Sequence, residues 1–527
     1  MATDTLASSA AAPAEPVVTP RLIGAFVALS VGMFMAILDI QIVASSLAEI
    51  QAGLSASSSE IAWVQTAYLI AEIVMIPLTG FLGRALSTRY LFAIAAGGFT
   101  LMSVLCASSN SIGEMVIWRA AQGFIGGAMI PVVFSAAFTV FPKSRQAMVA
   151  AIVGLIATLA PTVGPTIGGI LTNAFSWHWL FLINVVPGIA VTIAVLVLVD
   201  FDKPDFGLLR RLDWLGLASL AIFLGSLEYV LEEGAGNDWF QDRTIATVAL
   251  IAVAGGIAFF ARALMAKEPI VDIRAFADRN FATGSLFSFA LGVGLYGLVF
   301  LYPIFLARVR GYDSLQIGNT MFVSGAFMML TAPIAGTLAQ KMDPRWMMAF
   351  GLALFAVSCT ELVPITKDWA FVELFLPQAV RGVALMTCML PVSILALGTL
   401  SPDRIKNASG LFNLMRNLGG AFGLAIITTV LNKRTDLHLE RLRETVTWSR
   451  EAAAEQLANL TAGFRATVGL DASQAALTAL SNIVRQQALV MAFSDVFLLL
   501  AVTFFAVLLL VPLARRPQAP AGGTAGH

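Results

Sequence analysis

Long apolar runs separated by short polar breaks occupy most of the chain. A helix needs roughly 20 apolar residues to cross a hydrocarbon core of about 30 Å, and it satisfies its own backbone hydrogen bonds there. The pattern therefore predicts an all-α membrane protein with fourteen transmembrane helices. The predicted spans are residues 22–46, 61–82, 90–108, 112–138, 146–172, 178–200, 213–232, 244–265, 281–305, 314–340, 346–364, 370–398, 405–430 and 489–511.

The spans fall into groups along the chain. We expect an N-terminal six-helix half at 21–200 and a C-terminal six-helix half at 281–511, with two extra transmembrane helices and their linkers at 201–280. Residues 1–20 are rich in Ala, Ser, Thr and Pro and are predicted to form a disordered tail. Residues 512–527 are predicted to form a second tail on the same side of the membrane.

A long polar segment precedes the last predicted span. Residues 431–488 are rich in Ala, Leu and Gln, carry charges of both signs and show no sustained heptad pattern. This composition is typical of one or two exposed helices outside the membrane. Two interpretations stay open: a docking surface for another protein, and a solvated helical cap.

An internal repeat supports the division into halves. PLTGFLGRALSTRYLF at 77–92 aligns with PIAGTLAQKMDPRWMM at 333–348, so that a Pro, a Gly, a Leu and an Arg coincide at one constant offset. Transporters are commonly built from two halves related by such a repeat. The alignment therefore predicts two six-helix halves related by a parallel repeat, with the two extra helices inserted between them.

The positions of Lys and Arg orient the spans. Eighteen of them lie in the predicted inside segments and four in short outside loops. Short cytoplasmic loops carry an excess of basic residues, whereas long translocated loops escape this rule. Because the number of spans is even, both termini are predicted to be cytoplasmic.

Composition excludes several classes of protein. The chain is 58% hydrophobic and 12% charged, which is too apolar for a water-soluble domain, and its formal net charge is zero, which gives no reason to expect a nucleic-acid partner. The three Cys and three His residues form no legible metal-ligand cluster. We find neither a phosphate-binding G-x-x-x-x-G-K-[ST] loop nor a catalytic constellation. An ion gradient, without cofactor or enzymatic step, is therefore the expected energy source.

Two acids within predicted spans are candidates for proton coupling. Asp39 lies in the first span, and Glu72 lies in the second on the same helical face as Gln65 and Tyr68. Ionisable groups inside spans are costly and usually face the bundle interior or a wet cavity, where a carboxylate can bind and release a proton. The alternative is a structural acid that a hydrogen bond or a buried Arg neutralises.

Buried cations complement these acids. In the fourth span, Arg119 shares a face with Gln122 and two glycines. Arg119 is expected to stabilise an ionised carboxylate in one conformation, or else to bond backbone carbonyls and hold the helix register. In the second half, Arg416 lies beside Asn413, where it could attract an anionic group of a substrate or pair with local carbonyls.

The fifth span carries a strip of small residues and two prolines. Small residues allow close helix packing, and prolines weaken the local backbone ladder. Such a strip is common in membrane helices, so the spacing alone indicates packing and does not by itself indicate exchange of substrates. The strip consists of Ala160, Pro161, Gly164, Pro165, Gly168 and Gly169.

These motifs together resemble the fourteen-span drug:proton antiporters of the major facilitator superfamily, in particular the EmrB-like subgroup of the EmrB/QacA type, over residues 21–511. LDIQIVASS resembles that family's L-D-x-T-I-V-N-V-A, WRAAQG its R-x-x-Q-G, and APTVGPTIGG its G-P-x-x-G-G. WHWLFLINVVPG and EPIVDIRAFADRNF resemble two further family segments. The resemblance implies that Asp39 and Arg119 match the family's first-span acid and fourth-span arginine, and that the strip in the fifth span is the antiporter motif.

The chain departs from the family pattern at two places. The loop motif G-x-L-x-D-R-x-G-R-R appears as GFLGRALSTR, with Arg84 in place of the acid and Ser87 in place of the second Gly. Gating contacts made through that acid therefore cannot be transferred. The first-span motif has Gln41 and Ser45 where Thr and Val are usual, which implies a different substrate range. The candidate substrate contacts are Gln41, Gln65, Tyr68, Gln122, Asn413 and Arg416.

We therefore expect a proton-coupled multidrug efflux antiporter that exports hydrophobic or amphipathic compounds across the bacterial inner membrane. EmrB-type transporters work with a periplasmic adaptor and an outer-membrane channel, so the resemblance implies the same partners beside the lipid bilayer. Two alternatives remain. The chain could carry one physiological solute such as a siderophore, a lipid or an organic acid, or it could be a membrane receptor or scaffold that transports nothing.

Overall fold

A computed structural model describes residues 18–266, 269–447, 449–468 and 471–516. Most of both predicted tails, at 1–17 and 517–527, lies outside this part of the chain. The described residues form α-helices, a few short 3-10 helices and loops, without a β-strand. The helices are α1 (Pro20–Ser45), α2 (Leu47–Leu54), α3 (Ser58–Ala107), α4 (Ile112–Gly126), α5 (Met129–Thr139), α6 (Lys143–Ala174), α7 (Trp179–Leu182), α8 (Val185–Leu198), α9 (Trp214–Gly234), α10 (Arg243–Met265), α11 (Arg279–Arg308), α12 (Ser314–Lys341), α13 (Pro344–Glu361), α14 (Phe371–Leu397), α15 (Pro402–Thr445), α16 (Glu451–Val468) and α17 (Ala472–Leu508).

Twelve helical segments of the described residues are long and apolar enough to cross a membrane. The predicted spans 61–82 and 90–108 both fall within one of them, because α3 continues for 50 residues. This segment consists of two helices joined at a kink at Ser87, so each predicted span corresponds to one of them. The 18-residue α13, which ends in charged positions, corresponds to the predicted span 346–364 and is not one of the twelve. The number fourteen therefore stays a prediction.

Polar side chains at the breaks begin many of the helices. The Ser57 hydroxyl accepts from the Glu60 N–H while the Glu60 carboxylate accepts from the Ser57 N–H, which forms a capping box at the start of α3. Asp313 and Gln316 do the same at α12. Each cap satisfies backbone N–H groups that have no partner within the helix. The short polar breaks thus end one span and begin the next.

The helices form two bundles that contact each other directly. In the first bundle α1 packs on α6 and α8, and α3 packs on α4; in the second α11 packs on α15, and α13 packs on α14 and α17. Between the bundles α6 contacts α12, and α3 and α5 contact α15. Small residues permit the approach: Gly318 lies against Thr166 and Gly80 against Asn407.

The inserted helices α9 and α10 pair with each other beside this interface. α9 also contacts α3 of the first bundle and α15 of the second. Its Leu231 packs against Ala421 and Ala425 of α15, and its Gly225 lies near Ile70 of α3. The inserted pair therefore covers the junction between the halves on one side.

The long helix α3 is interrupted at Ser87. This residue has φ 69° and ψ 161°, a backbone conformation that is essentially restricted to glycine. Ser87 stands where the family motif has Gly. The interruption separates the two predicted spans that α3 contains, and the side chain at this position adds strain to the turn.

We predict that Ser87→Gly stabilises the protein by about 1–3 kcal/mol, because glycine adopts this conformation without a steric penalty. The measurement is the thermal unfolding midpoint of the purified protein in detergent at a fixed scan rate. Ser481→Gly is the matched control, since Ser481 is exposed within α17 and glycine there should lower stability by about 0.5 kcal/mol. If the unfolding midpoint of Ser87→Gly is equal to or lower than that of the unmodified protein, the backbone at Ser87 is not strained.

Candidate functional site

A buried ion pair lies at the centre of the first bundle. Arg119 Nη1 of α4 donates to Asp39 Oδ2 of α1 at 2.6 Å, and both side chains are fully buried. A charge-assisted hydrogen bond of this length is strong, but each ion has lost its hydration on entering the bundle. Separating the two residues would therefore leave each buried ion without hydration and without a counter-charge.

Neutral polar side chains complete the coordination of Asp39. Asn184 Nδ2 donates to Asp39 Oδ1 at 2.7 Å, and Gln122 Nε2 lies 3.5 Å from the same atom. Gln122 also accepts from Arg119 at 2.7 Å and donates to Ser103 at 2.8 Å. Both oxygens of Asp39 are thus hydrogen-bonded, and residues from α1, α3, α4 and the segment before α8 converge on one carboxylate.

Arg119 makes contacts of both predicted kinds. Besides pairing with Asp39, its Nε donates to the Val64 carbonyl oxygen of α3 at 3.2 Å. Its guanidinium lies 4.2 Å from the centre of the Tyr68 ring and 5.7 Å from that of Phe181. Its Nη2 has no hydrogen-bond partner within the described part of the chain. This N–H donor of Arg119 is therefore available to bind another acceptor if the contact with Asp39 changes.

A second polar cluster lies between the halves. Glu72 of α3 is 3% exposed and lies within electrostatic range of both Arg119 and Arg416. Arg416 Nη2 donates to Asn413 Oδ1 at 2.6 Å, and its guanidinium lies 5.1 Å from the Phe134 ring centre. No hydrogen bond to the Glu72 carboxylate occurs among the described residues. Glu72 is thus flanked by two guanidinium groups without a direct bond to either.

The remaining predicted contacts occupy different surroundings. Gln65 is partly buried on α3, and its Oε1 finds no hydrogen-bond partner in the part of the chain that is described. Gln41 is partly buried and packs against α6. Gln122 and Asn413 are engaged with arginines. Their roles in substrate binding stay predictions.

The small-residue strip of α6 packs against α1. A Cβ on Gly164 would meet the Cβ of Gln41, and one on Gly168 would lie 2.7 Å from Ser45 Oγ. Helix α6 continues through Pro161 and Pro165 without a break. Ala160 and Gly169 are buried as well. The strip therefore brings α6 against the helix that carries Asp39, which is the packing role that the spacing indicates.

A network at one end of the bundles involves the altered loop motif. Thr88 donates from its N–H to Asp202 Oδ1 at 2.9 Å and from its hydroxyl to Asp202 Oδ2 at 3.1 Å. Asp202 also pairs with Lys406 at the start of α15, and Lys406 donates to the Gly83 carbonyl oxygen at 3.2 Å. Asp202, which lies outside the loop motif, thus provides a carboxylate beside Thr88 and connects the two halves through Lys406.

Four residues at or near the site were not among the candidates from sequence, including Glu228 of α9, which is 5% exposed and within electrostatic range of Glu72. Asn184 stands in the quoted WHWLFLIN segment without an assigned role, and Ser103 and Asp202 gave no signal by themselves. Glu228 is an acid within the predicted span 213–232, so the cost of burying a charge in a membrane would have identified it. The approach of the other three to the site depends on the packing of distant helices.

Comparison with known proteins agrees with this architecture. Residues 29–424 match the profile of the Major Facilitator Superfamily. The chain is 42% identical to the colistin resistance protein EmrB of Acinetobacter baumannii over 91% of this chain and 94% of that protein. It is 29% identical to the multidrug export protein EmrB of Escherichia coli over 97% and 99% of the two chains.

Solved structures share the fold at low sequence identity. The human organic anion transporter TETRAN superimposes with a TM-score of 0.56 at 14% identity, over 92% of this chain and all of that one, 100%. The proton:xylose symporter XylE gives a TM-score of 0.56 at 12% identity, over 92% and 95% of the two chains. These likenesses concern the fold alone.

We predict that removing either partner of the buried pair destabilises the protein by about 3–5 kcal/mol, because the other ion is left without its counter-charge. Thermal unfolding of Asp39→Asn, Arg119→Gln and the double variant measures this. The double variant should lose clearly less stability than the sum of the two single losses. Arg345→Gln is the control, because its pair with Asp343 is partly exposed and worth about 0–1 kcal/mol. If the stability loss of the double variant equals the sum of the two single losses, Asp39 and Arg119 do not stabilise each other.

We also predict that Gly164→Ala separates α6 from α1 and lowers stability by about 1–3 kcal/mol, because the added methyl group overlaps Gln41. Size-exclusion elution and the unfolding midpoint in detergent report the change. Gly113→Ala serves as the comparison, since its new Cβ would meet nothing within 4 Å. If the two variants have the same elution volume and the same unfolding midpoint, Gln41 can move away from the added methyl group without loss of stability.

Proposed function

The chain belongs to the major facilitator superfamily, and within it to the EmrB-type transporters, and from this we propose that it exports hydrophobic or amphipathic compounds in exchange for protons. The observation that carries the proposal is the fully buried pair of Asp39 and Arg119 next to Glu72. Acids buried inside a transporter commonly belong to proton relays. No chemical conversion of the substrate is required.

Proton coupling would proceed through a change of partner for Arg119. A proton on Asp39 removes the charge that neutralises the guanidinium, which then needs another counter-charge within the membrane. Glu72 lies within electrostatic range of Arg119 on the adjacent helix. Protonation of Asp39 would therefore move Arg119 toward Glu72, and release of the proton would reverse the movement. Because Arg119 also bonds the Val64 carbonyl, the movement would be transmitted to α3.

Alternating access would use the two halves as rigid bodies. The Asp202 and Lys406 pair joins the halves at the predicted cytoplasmic end, where Gly80 also lies against Asn407. Opening that end requires this pair to separate. The Asp39 network lies wholly within the first half, whereas Arg416 belongs to the second. Movement of the halves would therefore change the distance between Glu72 and Arg416 without breaking the Asp39 network.

The substrate range would be broad. Gln65, Tyr68 and Arg416 provide hydrogen-bonding groups and a ring near the junction of the halves, with Gln41 nearby on α1. Relatives are named for multidrug export and for resistance to colistin and to fatty acids. Because these relatives are named for chemically different compounds, they support polyspecific export over transport of one solute.

The location proposed is the bacterial inner membrane, with fourteen spans and both termini cytoplasmic. A periplasmic adaptor and an outer-membrane channel are the proposed partners.

Helix α15 has 44 residues and would be about 66 Å long, and α17 with 37 residues would be about 56 Å long, so both exceed one membrane crossing. The parts of α15 and α17 near α16 would project from the membrane together and offer a docking surface.

We predict that a pH gradient drives dye efflux from liposomes that contain the purified protein, and that Asp39→Asn and Glu72→Gln each reduce the rate at least tenfold. The loss follows because neither amide can carry the exchanged proton. Binding of a neutral dye in detergent should be retained within about threefold, which separates coupling from folding.

Glu49→Gln is the matched control, because Glu49 is an exposed acid on α2. Its efflux should equal that of the unmodified protein. Absence of gradient-dependent flux in the unmodified protein would support a receptor or scaffold. Flux of only one compound from a varied panel would support a transporter of a single solute.

A further inference from the structure

The inserted helix α9 is fixed against both halves by specific contacts. On the side of α3, the Tyr229 ring stacks on Trp63 with centres 5.6 Å apart, and Thr66 lies 3.4 Å from Glu233 Oε1. On the side of α15, Trp239 just after α9 donates from its indole N–H to Thr429 Oγ1 at 2.9 Å. The face of α9 between these contacts therefore lies against the junction of the two halves.

Glu228 lies on that face. It is 5% exposed, and its Oε2 is buried without a hydrogen-bond partner among the described residues. It lies close enough to Glu72 for the two charges to repel, and Tyr296 of α11 lies within range of both. An ionised carboxylate in this position lacks the hydrogen bonds that compensate for lost hydration.

The charges on the surrounding helices leave Glu228 without a counter-ion. On α9 itself Glu232 and Glu233 are also acidic, Glu72 of α3 acts on Glu228, and Glu228 acts on Tyr296 of α11. On α15 Arg416 acts on Glu72 and Tyr296. On α10 the cations lie near the helix ends, and Arg262 there pairs with Asp213. Within the described residues, no Lys or Arg is among the charges that act on Glu228.

The cluster therefore has an excess of one negative charge. Glu72 and Glu228 contribute two negative charges when ionised, and Arg416 contributes one positive charge that acts on Glu72. Arg119 also acts on Glu72, but its charge is balanced by its ion pair with Asp39, and the exposed Glu232 can be hydrated. Two carboxylates in a poorly solvated site cannot both stay ionised without further positive charge. One monovalent cation makes the cluster neutral.

We propose that Glu228 and Glu72 form a site for one positive charge, which a proton occupies in the empty transporter and the ammonium or phosphonium group of a cationic amphiphile occupies in the loaded one. This rests on the proposed efflux function and names a substrate class for it. As the organic cation enters, one proton leaves a carboxyl group, so the net charge of the cluster is unchanged. Tyr296, whose hydroxyl donates to Asn417 at 3.3 Å, places an aromatic ring beside the site.

The test is proton release on binding. Tetraphenylphosphonium is added to the purified protein in weakly buffered detergent solution with a pH-indicating dye, and its affinity is measured by calorimetry. We expect the unmodified protein to release close to one proton per bound cation. Glu228→Gln should release less than half as many and bind the cation at least tenfold more weakly. Binding of the neutral dye N-phenyl-1-naphthylamine should change less than twofold.

Glu232→Gln is the matched control, because this exposed acid lies one turn further along α9. It should bind tetraphenylphosphonium within threefold of the unmodified protein. Equal losses in both variants would mean that general negative charge attracts the cation, and would overturn the site. Unchanged cation affinity and proton release in Glu228→Gln would also overturn it. Gradient-driven efflux of the neutral dye, measured in parallel, reports on the proposed function independently.

Discussion

A charged group within the membrane is costly unless the protein supplies a counter-charge, and the Asp39 and Arg119 pair is the clearest case in this chain. An isolated ion in hydrocarbon is costly, so the pair constrains the helices that supply it and its hydrogen-bonding neighbours. Asp39, Arg119, Asn184 and Ser103 come from four separate parts of the sequence, yet their polar atoms meet around one carboxylate. A shift of any one helix would leave a buried polar group without its partner.

Close packing by small residues makes that convergence possible. Between helices in lipid there is little hydrophobic driving force, so contact depends on shape and on hydrogen bonds. The glycines of α6 allow it to approach α1 at Gln41 and Ser45, immediately after Asp39 in the chain. The same means is used between the halves, where Gly318 lies against Thr166. Steric fit and charge pairing thus select the same arrangement of the first bundle.

The structure also shows how a departure from a family motif is accommodated. Arg84 replaces the acid of the loop motif, and Asp202 supplies a carboxylate to Thr88 and Lys406 at the same end of the bundles. Ser87 replaces a glycine and retains the glycine-like backbone. The inserted helix α9 adds a further feature, because its Glu228 introduces an acid at the junction of the halves. The functional chemistry of this chain therefore extends beyond the segments that carry the family motifs.

The sequence by itself determined the helical class and the family, because each follows from local properties: apolar runs of bilayer length and short motifs. It also indicated Asp39, Glu72 and Arg119, because any charge inside an apolar run is conspicuous. Only the tertiary structure decided which groups are paired. Asn184 and Asp202 acquire their partners from helices more than a hundred residues away, and whether Asp39 or Glu228 has a counter-ion depends on how those helices pack. Hydrogen bonds and ion pairs act over a few ångströms in space, so separation along the chain does not reveal them.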